Sequence, residues 1–242
     1  MSAQHRITPA TARPRKGFLA RVLNPVDRLV QAIYSILIVL SFTLAAQALY
    51  AEGAFSQASS EVNWVRQLLV ATFGCALAWG LIDGVMYILS SHFERDQEQR
   101  LLQMLRDAKS AGVGRELIAE EVEQSYAAFA ELPGRQALYD AMYHELRNVE
   151  PERTHLQRED FSGALGVVVV AVGTALPLLV PLALLQGEPW LAVRLSNLIA
   201  CAMLFWLGYS WAAYSGGRPI FTGLLLLIVG LGMVAIAIPL GG

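Results

Sequence analysis

Charged residues disappear from this chain over five long stretches. None occurs between Arg28 and Glu52, and Asp83 alone interrupts the run from Arg66 to Glu94. The segments 161–187, 195–217 and 219–242 carry none. Each stretch reaches the roughly 20 apolar residues that cross a hydrocarbon layer of about 30 Å as a helix. Helices of that length, apolar on every side, are not what an ordinary soluble core requires. The pattern predicts an all-α integral membrane protein of five transmembrane helices, with a charged insert between spans two and three.

Inside the insert the periodicity changes to one apolar face per helix, which predicts three cytosolic helices. The first, 91–111, continues span two with Leu101, Leu102 and Leu105 on one face, and Gly112 and Gly114 break it. The second, 115–132, presents Leu117, Ile118, Val122, Tyr126 and Phe129, and Pro133-Gly134 stops it. The third is 135–149, closed by Asn148 and Pro151. So small an apolar face implies support from a second copy or from the membrane helices. The domain order is thus a basic cytosolic segment 1–28, spans one and two in 29–90, an acidic domain 91–160, and spans three to five in 161–242.

Ahead of span one, Arg6, Arg13, Arg15, Lys16, Arg21 and Arg28 set the N-terminus in the cytosol by the positive-inside rule. Alternate crossing puts the loop 51–64 outside, the insert inside, the loop 186–193 outside, Arg218 inside and the C-terminus outside. Arg95, Arg100, Arg153 and Arg158 flank the insert on its inner side, and Arg194 is the mild exception. Ala46-Gln47-Ala48 fits a signal-cleavage pattern. The polar lead and apolar run are too long for a signal peptide, however, so an uncleaved first span is expected. Phe18, Leu19, Val22, Leu23 and Val26 recur at helical spacing beside Lys16 and Arg21. They fit either a helix on the inner membrane surface or a disordered basic tail, with Pro25 limiting any helix.

Composition agrees: 55% of residues are hydrophobic, 16% are charged, and mean hydropathy is +0.45. The net charge of −2 conceals an acidic insert, where 15 acids face 9 bases. Such a domain excludes nucleic acid as a partner, because that binding neutralises phosphates with Lys and Arg. Cys75 and Cys201 lie singly in apolar stretches, without metal-type spacing. His92, His144 and His155 form no HxxxH or HExxH pattern, and nothing pairs a nucleophile with a base. Neither an enzyme nor a bound cofactor is expected. The long Arg-rich lead and compact loops suggest a bacterial plasma membrane.

Asp83 carries most of the candidate chemistry. A carboxylate within a span costs roughly 2.5–3.5 kcal/mol on insertion scales, and such groups face a cavity or a partner. It sits about 12 Å below the cytosolic end of its span, at about 1.5 Å per residue from Ser91. Cys75, Trp79, Asp83, Met86 or Tyr87, and Ser90 follow one helical face. A hard oxygen beside the Met86 thioether suits passage of Fe2+ or Mn2+. The competing reading is a protonated Asp83 that holds helices together.

In the insert, Glu116, Glu120 and Glu123 share a face, with Glu121 beside them; Glu94 and Glu98 are similarly spaced, and Met142 and Glu145 share another. Carboxylates so spaced repel unless a cation compensates, whether a divalent metal or Arg95, Arg100 and Arg115. A solvated acidic helix is the plainer reading. Pro177 and Pro181 sit mid-span, and Gly208, Gly216, Gly217, Gly223, Gly230 and Gly232 permit close helix packing.

From about Leu29 onward the chain resembles the vacuolar iron transporter family of divalent-metal/proton exchangers. The likeness rests on five spans with an insert after the second, and on the Ser-rich, Arg-Asp-containing run 90–99. It rests also on Met142-Tyr143-His144-Glu145-Leu146, on the paired Pro177 and Pro181, and on Leu204–Gly208 through Ser215-Gly216 and Gly223. The resemblance implies a homodimer with a metal path between subunits and a cytosolic Glu/Met cluster that gathers metal. Met142 and Glu145 match that cluster's motif; Glu116, Glu120 and Glu123 correspond to its acidic helix. The chain departs from the family in span one. Where the family has an Asp-Gly ligand, the only polar side chains here are Gln31, Tyr34, Ser35, Ser41, Thr43 and Gln47, and the sole membrane acid is Asp83 in span two. The expected function is export of Fe2+ or Mn2+ by proton exchange. The alternative is a membrane-anchored sensor or scaffold whose insert binds a protein.

Overall fold

The computed structural model describes residues 23–51, 61–151 and 154–237, and no strand occurs among them. In chain order the helices are α1 Pro25–Ala51, α2 Glu61–Arg106, α3 Ala111–Ser125, a 3-10 turn Ala127–Glu131, α4 Arg135–Leu146, α5 Arg158–Leu184, α6 Pro189–Ser215 and α7 Pro219–Ala237. Five of them (α1, α2, α5, α6 and α7) are long and apolar enough to cross a membrane. The protein is an all-helical integral membrane protein. The basic lead through Val22, residues 52–60, Glu152, Arg153 and the last five residues lie outside the described residues.

The helices begin where local chemistry allows. Proline stands first in α1, α6 and α7, where its missing N–H costs nothing and its fixed φ suits the first turn. Gly216 ends α6 at φ 77°, a left-handed conformation that favours glycine, and its N–H and that of Gly217 both reach the Ala212 carbonyl. Pro177 and Pro181 are accommodated inside a continuous α5. Because α6 starts at Pro189, Arg194 belongs to its second turn, which corrects the expected outer loop over 186–193.

Two compact units divide the chain. The first runs through the described residues up to Gly84 and resumes at Ser162. Its core joins Ile36, Val39, Leu40 and Leu44 of α1 to Ala76 of α2, Ala175 and Leu178 of α5, and Ala200 and Leu204 of α6. A second cluster packs Trp64, Val65 and Leu68 of α2 against Leu179 and Leu182 of α5 and Ala192 and Val193 of α6. Glycine sets the spacing where backbones meet. A Cβ at Gly208 would lie 2.7 Å from the Thr222 carbonyl oxygen, and one at Gly223 would lie 2.9 Å from that of Phe205. Helices α6 and α7 therefore touch backbone to backbone, as small residues permit in membranes.

The second unit is Val85–Phe161. Leu105 of α2, Ile118 of α3, and Tyr139 and Tyr143 of α4 form its core. The boundaries correct the sequence reading. Helix α2 ends at Arg106, and the break precedes Gly112 and Gly114, because the Ser110 hydroxyl accepts the Val113 N–H and starts α3 there. Gly114 instead lies inside α3, under the Tyr143 ring. The second helix, expected over 115–132, stops at Ser125 and gives way to the 3-10 turn. The third ends at Leu146 rather than Val149.

Candidate intramembrane site

Helix α1 places Gln31, Ser35, Thr43 and Gln47 four residues apart, with Val39 in the one gap. All five are buried, so a polar seam runs along the side of α1 that faces the bundle. Buried polar groups in a bilayer need partners, and the seam shows where they come from. The Ser35 hydroxyl donates to the Ala171 carbonyl of α5 at 2.7 Å. Thr43 Oγ1 lies 2.9 Å from the Leu40 carbonyl and 3.0 Å from Asn197 Oδ1 of α6, its proton shared between them. On α6, Ser196 donates to the Leu178 carbonyl at 2.7 Å. Thr72 of α2 is fully buried, and its hydroxyl has no partner among the described residues.

At the Gln31 end of the seam, Gln31 Nε2 donates to Asp83 Oδ2 at 2.7 Å. Gln31 is 9% exposed and Asp83 half-buried. Helix α2 reaches this position because Gly80 and Gly84 lie close against α5. A Cβ on Gly80 would be 3.1 Å from that of Ala171, and one on Gly84 would be 3.2 Å from the Ala164 carbonyl oxygen. The intramembrane carboxylate thus meets a neutral amide, and no arginine pairs with it among the described residues. A hydrogen bond to a charged group contributes about 1.5–3 kcal/mol, close to the roughly 2.5–3.5 kcal/mol cost of placing the acid in a span. Met86, three residues further along α2, is 54% exposed. Trp79 is also exposed, and Cys75 is half-buried and free.

The insert residues are dispersed. Glu116, Glu120 and Glu145 are exposed. Glu123 is half-buried and engaged; it accepts from the Tyr139 hydroxyl at 3.1 Å and lies 3.6 Å from the Arg135 guanidinium. Burial, together with this bond, holds the Tyr139 hydroxyl above its ordinary titration range. Met142 packs against the Leu105, Ile118, Tyr139 and Tyr143 core. Among the described residues of this chain, no three His, Cys, Asp or Glu side chains are arranged to hold a metal.

Two features escaped the sequence reading. The partnership of Gln31 was one, although the fourfold spacing of polar residues along span one was its visible sign. The other is a clasp in the second unit. Arg95 of α2 grips Asp160 of α5 with both guanidinium nitrogens, at 2.8 and 2.6 Å, and the Gln157 N–H adds a third bond at 2.8 Å. The Arg95 hydrogen bond holds the Asp160 carboxyl below its ordinary range against the opposing effect of burial, and Asp160 in turn raises Arg95. No local pattern announces a pair separated by 65 positions.

No curated protein matches the chain. A family model, that of the VIT family, matches residues 89–242, well over half of the chain, from just beyond Asp83 through the insert and the last three membrane helices. The chain therefore belongs to the VIT family, the vacuolar iron transporters, a family of membrane metal-ion transporters.

Proposed function

We propose that this protein exports a divalent cation, Fe2+ or Mn2+, from the cytosol in exchange for protons, with Asp83 as the intramembrane ligand and proton carrier. The observation that carries the proposal is the state of Asp83. Its carboxylate is kept at membrane depth by a neutral amide, so no resident cation competes with an incoming metal or proton. Had an arginine filled that place, the site would already be neutralised. Met86, exposed three residues further along α2, assists Asp83. The acidic insert raises the local cation concentration through its exposed Glu116, Glu120 and Glu145, and Glu123 and Met142 join them only when their present contacts open. The working unit is a homodimer in a bacterial plasma membrane, with the N-terminus and residues 91–160 in the cytosol and the C-terminus outside.

The test is flux into liposomes that enclose a metal-sensitive dye. The reconstituted chain should admit Fe2+ or Mn2+ under a pH gradient, and Asp83→Asn should abolish the signal. Absence of flux through correctly folded native protein would remove the proposal. It would favour a membrane-anchored scaffold or sensor, a reading to which the dispersed acids of the insert lend weight.

A further inference from the structure

We infer that Gln31 is the second ligand of the cation at Asp83, and that its amide oxygen tunes the site toward hard divalent ions. The inference rests on the proposed role of Asp83 and adds a residue, a helix and a selectivity to it.

The geometry comes first. Gln31 Nε2 lies 2.7 Å from Asp83 Oδ2, so the terminal amide is already at the distance where one group bridges α1 and α2. A glutamine amide carries a donor nitrogen and an acceptor oxygen on the same carbon. The torsion that exchanges them is broad and soft. With the site free of metal, the nitrogen faces the carboxylate and satisfies it. With a cation between the two side chains, half a turn of the amide aims Oε1 at the ion, while the carboxylate keeps its own oxygen in place. Gln31 thus answers both states without leaving Asp83 unpartnered in the membrane, which no apolar residue and no fixed cation does.

The ligand chemistry follows. Carboxylate and carbonyl oxygens suit hard ions such as Mn2+, whereas thioether sulfur suits softer ones. The two side chains that meet at this contact, the Asp83 carboxylate and the Gln31 amide, both offer oxygen. Their combined charge is that of a single carboxylate. A divalent ion there is left partly uncompensated and is released more readily than from paired acids, as permeation requires. The hydroxyls of the seam carry no carboxylate beside them: Ser35 donates to the Ala171 carbonyl, and Thr43 lies between the Leu40 carbonyl and Asn197 Oδ1.

The test is equilibrium Mn2+ binding to the full chain in lipid nanodiscs, read by electron paramagnetic resonance, with Cd2+ as the soft competitor. Only the component lost in Asp83→Asn is counted, which sets aside ions held by the insert. Gln31→Met, near in length but soft, should weaken Mn2+ about tenfold relative to Cd2+. Gln31→Leu should weaken both ions, and Gln31→Glu, which restores a hard oxygen, should recover Mn2+. An unchanged Mn2+/Cd2+ ratio in Gln31→Met, or undiminished binding of both ions in Gln31→Leu, with the Asp83-dependent component intact, would overturn the role of Gln31 and leave that of Asp83 standing. Absence of any Asp83-dependent binding in the native chain would overturn both.

Discussion

Replacing Arg95 by methionine isolates the charge of the clasp, because methionine keeps much of the aliphatic stem that arginine packs. In the native chain Asp160 is only 3% exposed and receives two bonds from Arg95 and one from the Gln157 N–H. The variant leaves that carboxylate buried with a single donor. Breaking a buried pair from one side costs about 3–5 kcal/mol. Arg95 is 26% exposed, so water can reach part of the vacated space, and the lower figure of about 3 kcal/mol applies. Hydrogen exchange on the full chain in detergent should then show peptides over 91–106 and 154–161 opening about a hundredfold more often. The pH dependence supplies an independent arm. Asp160 titrates below its ordinary value of 3.8 in the folded chain, so its contribution is complete above that value. It drains away as pH falls through the lower folded-state value, where the unfolded chain has already taken its proton. Arg95→Met should lose this acid-sensitive component. Protection that drops by less than about threefold, or an acid limb unchanged in the variant, would refute the assignment of the clasp as a principal stabiliser.

Two further substitutions probe packing. Gly114→Ala would bring a Cβ within 2.1 Å of the Tyr143 ring. It should cost about 1–3 kcal/mol through overpacking, read as faster exchange in α3 and α4. Gly223→Ala meets the Phe205 carbonyl oxygen at 2.9 Å and the Phe205 ring at 3.0 Å. It should lower the detergent thermal midpoint more than Gly232→Ala, whose Cβ meets nothing within 4 Å.

The membrane helices were legible because a span is specified by its own composition. A charge-free run of sufficient length needs no knowledge of its neighbours, and the five stretches correspond to five helices. Boundaries in the insert were less legible, because they depend on single contacts. The Ser110 hydroxyl accepts the Val113 N–H and so starts α3 ahead of the nominal breakers Gly112 and Gly114, a cap contributing about 1 kcal/mol. The presence of Gly114 is explained only by the Tyr143 ring, 29 positions away. Asp83 stood out as the sole acid of the membrane stretches, but its partner did not. Gln31 reads as one more tolerated polar residue until α1 and α2 are set side by side.

The polar contacts of the membrane unit fall into two chemical kinds. Ser35 and Ser196 each donate a hydroxyl proton to a carbonyl of α5, and Thr43 meets Asn197 of α6. All of these are neutral and tie helices together, at about 0.6 kcal/mol each by the average for such bonds in membranes. None gains from the arrival of a cation. The Gln31–Asp83 contact differs in that one partner carries a charge and the other has an oxygen in reserve. It can exchange its internal hydrogen bond for bonds to an ion without leaving a buried group unsatisfied. Seam residues that act as glue should therefore tolerate conservative exchange, as in Ser35→Ala or Thr43→Val, with stability lowered and ion selectivity unmoved. Exchange at Gln31 should move selectivity as well as stability, the latter by the about 1.5–3 kcal/mol of its bond to Asp83. If Thr43→Val shifted the Mn2+/Cd2+ ratio as far as Gln31→Met does, the division between glue and ligand would be wrong, and the whole seam would have to be treated as the ion's surroundings.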